Sequence, residues 1–319
     1  LISRRKGGFV RECHGDLHLS NLVRLPGGIV AFDCVEFSQD LRNIDVLSDI
    51  AFLVMDLVSR ARQDLAFTFL NRYLERSGDY AGMSVFGLYF VYHSMIRAKV
   101  AAIRSAEPTD NDDRDKHVEA VKHYLAVAVR WIMAAKPRLL AMHGYSGSGK
   151  TWLSSQLLGH LPAVRVRSDI ERKRLSGLEE AAVSGSQPGE GIYSEGVNDA
   201  VYARLFEVAN ALLDAGFNVI IDAAFLRQAD RLGLVSLASS RDAPYAIVSA
   251  SAGDAELRKR LRRRSARAAE VSEADLAVLE HQLRTAEPLS AIERRRTVFA
   301  RTDEEIDADD MIKSLNRFR

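Results

Sequence analysis

The chain has 319 residues, enough for two domains of ordinary size. Hydrophobic residues make up 47% and charged residues 27%, and 44 Lys and Arg stand against 43 Asp and Glu, which excludes a global pull toward nucleic acid or a membrane surface. Cys13 and Cys34 have no paired spacing, no apolar run approaches membrane-span length, and the first ten residues lack a signal-peptide core, so a disulfide framework, a zinc site and a membrane span are not expected and a reducing cytoplasm is.

The chain opens at Leu1 and reads as a fragment. Its first informative stretch is "RECHGDLHLSNLV" (11–23), in which His14, Asp16 and Asn21 stand at the H-x-D-x-x-x-x-N spacing of a kinase catalytic loop. Such a loop needs an Asp to receive the acceptor proton, an Asn and a later Asp to hold Mg²⁺, and a His to brace the backbone. Asp16 is then the base, Asn21 and Asp33 the metal ligands, and His14 the brace. Asp33 ends the short predicted strand "GIVAFD" (28–33), a hairpin's distance after Asn21. "HGDLHLSN", with its second histidine, His18, resembles the aminoglycoside-phosphotransferase branch of the kinase-like enzymes. "AFDCVEFSQDLRNIDVLSDIAFLVMDL" and "YHSMIRAKV" resemble the continuation in members fused to a P-loop kinase. That resemblance implies that His18, Arg42, Asp45 and Asp49 brace the loop, and it puts Arg97 and Lys99 on catalytic-lobe helices. No Gly-rich loop and no strand lysine precede the motif, so this half as given is expected to bind ATP poorly and not to transfer phosphate by itself.

From Ile44 to about Trp131 apolar residues recur at three- and four-residue spacing, which predicts helices, with a polar loop at 105–117. After "AAKPR" the texture changes to strands alternating with helices: "LLAMHG", "AVRVRS", "FNVIIDAAF", "YAIVSA" and a weaker "TVFART". That alternation predicts a parallel sheet with helices on both faces, and the boundary is placed near residues 134–138.

"GYSGSGKT" (144–151) fits G-x-x-x-x-G-K-[ST] in full, between an apolar strand and a helical pattern. The backbone of Gly144, Tyr145, Ser146, Gly147, Ser148 and Gly149 can curl so that its N–H groups face phosphate oxygens, and the following helix start adds partial positive charge. Lys150 reaches the β- and γ-phosphates and the Thr151 hydroxyl can ligate Mg²⁺. Asp222 ends an apolar strand, where it either meets the Mg²⁺ shell or caps the next helix. Asp169, just past the second strand, either orients and deprotonates an acceptor hydroxyl or, with Ser168, caps a helix. Arg172 and Lys173 then face an anionic substrate or solvent.

"ELRKRLRRRSAR" (256–267) puts Arg260, Arg264 and Arg267 on one helix face beside a buried face marked by Leu257 and Leu261. This is a lid helix whose arginines stabilise the transferring phosphoryl group, or a solvated face; no aromatics interleave for nucleic-acid stacking. Residues 138–319 resemble the P-loop kinases related to gluconate, shikimate and zeta-toxin kinases. The stretches that carry this are "LLAMHGYSGSGKTWLSSQL", "VRSDIERKRLSG", "GIYSEGVNDAVYARLFEVANALLDAGFNVIIDAAF" and "SEADLAVLEHQ". The resemblance implies ATP-dependent phosphorylation, a five-stranded core sheet and an arginine lid, with Tyr193 at a recurring position.

The expectation is therefore a mainly helical kinase-like C-lobe over 1–135, followed by an α/β P-loop NTPase domain over 136–319. ATP and Mg²⁺ are the expected cofactors and a small hydroxylated molecule the acceptor. Neither nucleic acid nor membrane is an expected partner, and oligomeric state is left open. The alternatives are a nucleotide-dependent switch without a phosphoryl acceptor and a toxin-like kinase of a nucleotide-sugar.

Overall fold

The structure is a computed structural model that describes all residues except 108–110, 180, 181, 183–189, 266–274 and 319, and describes 111, 193 and 265 without their side chains. It divides into two compact units. One comprises Leu1–Leu70 and Ala81–Ala135; the other comprises Asn71–Tyr80 and Lys136–Arg319. The decapeptide at 71–80 thus groups with the second unit, although the sequence reading assigned all of 1–135 to the first.

The first unit runs through α1 (Ile2–Lys6), β1 (Val10–Glu12), β2 (Leu22–Leu25), β3 (Gly28–Ala31), α2 (Gln39–Arg42), β4 (Asn43–Asp45) and α3 (Val46–Ser59). Helices α4 (Gln63–Ser77), which from Asn71 on groups with the second unit, α5 (Met83–Ala106) and α6 (Asn111–Ile132) follow. Strands β1 and β4 pair antiparallel, and β2 and β3 form a hairpin with Leu22 opposite Ala31. Helix α3 starts where the Asp45 carboxylate accepts the Leu47 N–H at 3.0 Å, a side-chain cap for an otherwise orphan donor. Leu47, Ala51, Val54 and Met55 on it are fully buried. The predicted loop at 105–117 is shorter than expected, because α5 continues to Ala106 and α6 begins at Asn111. Asp112 and Asp113 lie in the first turn of α6, where acidic residues complement the helix dipole rather than interrupt the helix.

The second unit contains β5 (Leu139–His143), α7 (Lys150–His160), β6 (Ala163–Arg167), α8 (Ser168–Leu175), α9 (Glu195–Asp214), β7 (Asn218–Asp222) and α10 (Gln228–Ser240). It continues with β8 (Tyr245–Ser251), α11 (Asp254–Ser265), α12 (Leu276–Thr285), α13 (Ala291–Arg295), β9 (Thr297–Arg301) and α14 (Ala308–Leu315). The five strands form one parallel sheet in the order β6-β7-β5-β8-β9. Both faces are covered, so the inner strands β7, β5 and β8 read as largely continuous apolar runs, while the edge strand β6 alternates apolar residues with Arg165 and Arg167. Helices α7 and α14 bury Leu153, Leu157 and Leu315 against Leu140, Met142 and Val248, while α9 lies against β6 and β7. The strand order turns back beside β5, so the loop after β5 opens at the carboxyl edge where ligands of such sheets bind. Among the described residues no helix is long and apolar enough to cross a membrane.

Candidate active site

The loop between β5 and α7 is shaped by glycines at positive φ. Gly144 has φ 136°, and a Cβ there would sit 2.2 Å from the Ala250 carbonyl oxygen, so only glycine lets the chain leave the sheet at this point. Gly149 is the left-handed N-cap of α7 at φ 84°, packed on the Thr302 side chain. The Lys150 ammonium folds back to donate to the carbonyls of Gly144 and Tyr145, each at 2.8 Å. Burial pushes its pKa down to about 8, against the opposing pull of Asp222 and Asp169.

A cleft of about 540 Å³ opens over this loop, lined by Ser146, Gly147, Gly149, Lys150, Thr151, Asp169 and Asp222. Asp222 is buried at the end of β7, and the Ser154 hydroxyl donates to its Oδ2 at 3.3 Å. Because β7 neighbours β5 directly, this carboxylate stands beside the first turn of α7, where Thr151 lies. Asp169 opens into the same cleft from the first turn of α8. Neither it nor Ser168 is the cap: α8 begins at Ser168 with Arg167 as N-cap and no side-chain cap bond. Asp222 likewise precedes no helix directly, since α10 starts at Gln228 with Arg227 as its N-cap.

Helices α11 and α12 form the opposite wall. Leu257 and Leu261 are buried, with Leu279 and Tyr145 against them. Arg260 lines the cleft and is held at its loop side: it donates to Thr302 Oγ1 and to the Thr302 carbonyl at 2.8 Å each, to the Gly147 carbonyl at 3.3 Å and to Glu256 at 3.0 Å. Arg263 and Arg264 line the cleft; Arg267 lies outside the described residues, as does the Tyr193 side chain. Arg172 also lines the cleft and donates to the Ile192 carbonyl at 2.8 Å. Lys173 is buried, so the solvent-facing alternative for this pair does not hold.

Several residues that sequence reasoning passed over complete the site. Gln282 of α12 accepts the Ser146 N–H at 2.8 Å, one of the loop donors a phosphate would use. The Thr302 hydroxyl lies 2.8 Å from the Ser148 carbonyl and 3.2 Å from the Ser251 carbonyl, clamping the loop to the end of β8. Arg227 lines the far end of the cleft, fixed by Asp230 and Asp199, which hold its pKa above the ordinary arginine value. Tyr202 stands beside it, its hydroxyl accepting the Phe225 N–H at 3.0 Å. Most of these contacts join residues far apart in the chain, so the stretches that carry Tyr202, Gln282 and Thr302 could be singled out in the sequence but not their partners.

The first unit holds a second constellation. Asn21 donates to the Asp16 carboxylate at 3.1 Å and to its carbonyl at 3.0 Å. His18 accepts the Ser20 N–H on Nδ1, leaving Nε2 3.4 Å from Asp16. His14 accepts the Asp16 N–H on Nδ1 at 3.3 Å and meets the Phe32 carbonyl through Nε2 at 2.8 Å, so a neutral ring satisfies both. Phe32 N–H donates to the Asn21 carbonyl at 3.0 Å. Asp33 follows it at φ 59°, a left-handed conformation that Asp tolerates better than most residues. Asp49 receives the N–H groups of His14 and Gly15 at 2.7 and 3.1 Å. Asp45 caps α3, accepts from Arg4 at 2.7 Å and from Tyr89 at 3.1 Å. Arg42 pairs with Glu12 at 3.1 Å, and Arg97 reaches the Tyr124 hydroxyl at 3.4 Å. Among the described residues no group of three or more His, Cys, Asp or Glu side chains is arranged to hold a metal ion.

The sheet order, the glycine loop and the cleft above it define the second unit as a P-loop nucleotide-binding fold. Residues 139–289 match the family described as an AAA domain. Relatives in Mycobacterium tuberculosis and Mycobacterium bovis, each described as an uncharacterized protein, are 33% identical over 225 residues, 70% of this chain and 44% of each relative. The chain thus spans less than half the length of the curated relatives it matches. Among solved structures, the APS kinase CysC of Mycobacterium tuberculosis in complex with AMPPNP and APS is 18% identical at a TM-score of 0.41, covering 57% of this chain and 98% of that one. Kti12 of Chaetomium thermophilum in complex with ADP-AlF3 is 16% identical at 0.45, covering 57% and 99%.

Proposed function

We propose that the second unit is an ATP-dependent phosphotransferase acting on a small hydroxylated acceptor. The observation that carries this reading is the placing of Asp169 in the same cleft as Lys150, Thr151 and Asp222. A nucleotide switch needs the last three; a carboxylate on the acceptor side is what transfer to a hydroxyl adds. The loop N–H groups and Lys150 hold the β- and γ-phosphates, and Arg264 with Arg263 balances charge on the phosphoryl group in flight. Arg260, which lines the same cleft, holds the phosphate loop through Gly147 and Thr302. Asp169 accepts the hydroxyl proton as the oxygen attacks.

Thr151 and Asp222 suit Mg²⁺. The Thr151 hydroxyl and the buried Asp222 carboxylate supply hard oxygen donors in the cleft and would hold the ion. Held there, the ion would supply positive charge against the phosphates.

For the first unit the reading is an aminoglycoside-phosphotransferase-like catalytic platform in which Asp16 is the base, Asn21 and Asp33 lie on the metal side, and His14, His18, Asp45 and Asp49 brace the loop. The hydrogen bonds around Asp16 support that reading. A screen of hydroxylated small molecules for acceptor-dependent ADP release, with Lys150→Ala as control, tests the proposal. Release that needs an acceptor and is lost in the variant supports it. Steady release without any acceptor favours the switch.

A further inference from the structure

Residues 71–80 lie outside the stretch that matches the AAA domain family, yet they group with the nucleotide-binding unit. Strand β6 is an edge strand, and the Asn71 side chain pairs with it as another strand would. Its Nδ2 donates to the Ala163 carbonyl at 2.8 Å and its Oδ1 accepts the Arg165 N–H at 2.6 Å, which blunts an edge otherwise open to mispairing. One helical turn on, the buried Glu75 carboxylate accepts two bonds from the Arg165 guanidinium, at 2.8 and 3.2 Å. The other arm of Arg165 donates to Ser155 and Ser154 hydroxyls at 2.7 and 3.1 Å, in the second turn of the phosphate-loop helix. Arg167 stands between two carboxylates, 3.7 Å from Glu75 and 3.9 Å from Asp222, beyond hydrogen-bond distance of both.

We propose that Glu75 is a positioning residue of the nucleotide site: its charge keeps Arg167 from closing on Asp222 and so leaves the Asp222 carboxylate available to the metal side of the cleft. The physical reason is competition. Among the described residues, Glu75 and Asp222 are the carboxylates within ion-pair reach of Arg167. A buried guanidinium deprived of one partner is strongly drawn to the other, and an Asp222 paired with arginine is a poorer anchor for a hydrated cation. The catalytic fold is then discontinuous, with residues 71–80 as part of it.

This inference rests on the reading of Asp222 as the metal-side carboxylate. It is tested by titrating Mg²⁺ against binding of a non-hydrolysable ATP analogue to the full chain, read by calorimetry. Glu75→Gln is expected to raise the Mg²⁺ concentration for half-maximal binding by about fivefold or more, the low end of coupling between linked groups. Adding Arg167→Gln is expected to bring it back. Because Glu75→Gln strands the buried Arg165 charge and can prevent folding, Glu75→Gln with Arg165→Met serves as the second background, the buried pair being replaced by neutral groups while Arg167 is still released. An unchanged Mg²⁺ requirement in these backgrounds overturns the proposal, and so does a raised requirement that Arg167→Gln does not reverse. In the parent protein Asp222→Asn separates the two readings. If it weakens the Mg²⁺ effect while Glu75→Gln does not, the Glu75 inference alone falls; if it leaves the effect intact, the metal-side reading of Asp222 falls and takes the inference with it.

Discussion

Burial lowers the pKa of Lys150, and this makes nucleotide binding dependent on pH in a definite direction. Burial depresses its pKa to about 8 in the free protein. The charged form therefore disappears as pH rises through 8. A bound triphosphate puts negative charge against the ammonium and raises the pKa again, so binding above pH 8 must take up a proton. The dissociation constant then grows as one plus ten to the power of pH minus 8, which is roughly a tenfold loss of affinity between pH 7 and pH 9. Phosphate groups are fully ionised across this window because their second pKa lies near 6. Calorimetry of ATP-analogue binding in two buffers of different ionisation enthalpy reads both the affinity and the proton uptake. Lys150→Arg, whose guanidinium stays charged, should flatten the profile. An affinity constant from pH 7 to pH 9 with no proton uptake would refute the reasoning.

Two further outcomes follow from contacts at the loop. Gln282→Ala frees the Ser146 N–H for phosphate and should tighten nucleotide binding by about two- to tenfold, the worth of one net hydrogen bond; unchanged or weaker binding shows that Gln282 does not compete with phosphate. Thr302→Val removes the hydroxyl that Arg260 donates to and that lies against the Ser148 and Ser251 carbonyls. It should cost about 1–3 kcal/mol of stability by leaving buried partners unmatched, read as a lower denaturation midpoint together with weaker nucleotide binding, and a midpoint equal to the parent's counts against the clamp.

How much of this was legible in the sequence depends on how local each feature is. The phosphate loop is eight consecutive residues whose glycines and lysine act where they stand, and the three inner strands of the sheet are apolar runs because both faces are covered. Three-residue strands such as β1 and β4 are too short to show alternation, so beyond the strand at 28–33 the first part reads as mainly helical with little β. The acidic start of α6 read as a loop, since polar residues that suit a helix N-terminus also suit a turn. Arg260 was placed on the lid face by helical spacing, but spacing carries no information about Thr302, 42 residues later, which takes its hydrogen bonds. Glu75 and Arg165 are 90 residues apart and met only when α4 reached the edge of the sheet.

The most direct measurement compares Asp169→Asn with Lys150→Ala on an acceptor found by the ADP-release screen, measuring turnover and analogue binding on the same preparations. If Asp169 is the acceptor-side base, Asp169→Asn lowers turnover by about a hundredfold or more, as expected for loss of a general base, while its analogue affinity stays at the parent's level; Lys150→Ala loses both. An Asp169→Asn protein that turns over at the parent's rate would contradict the account.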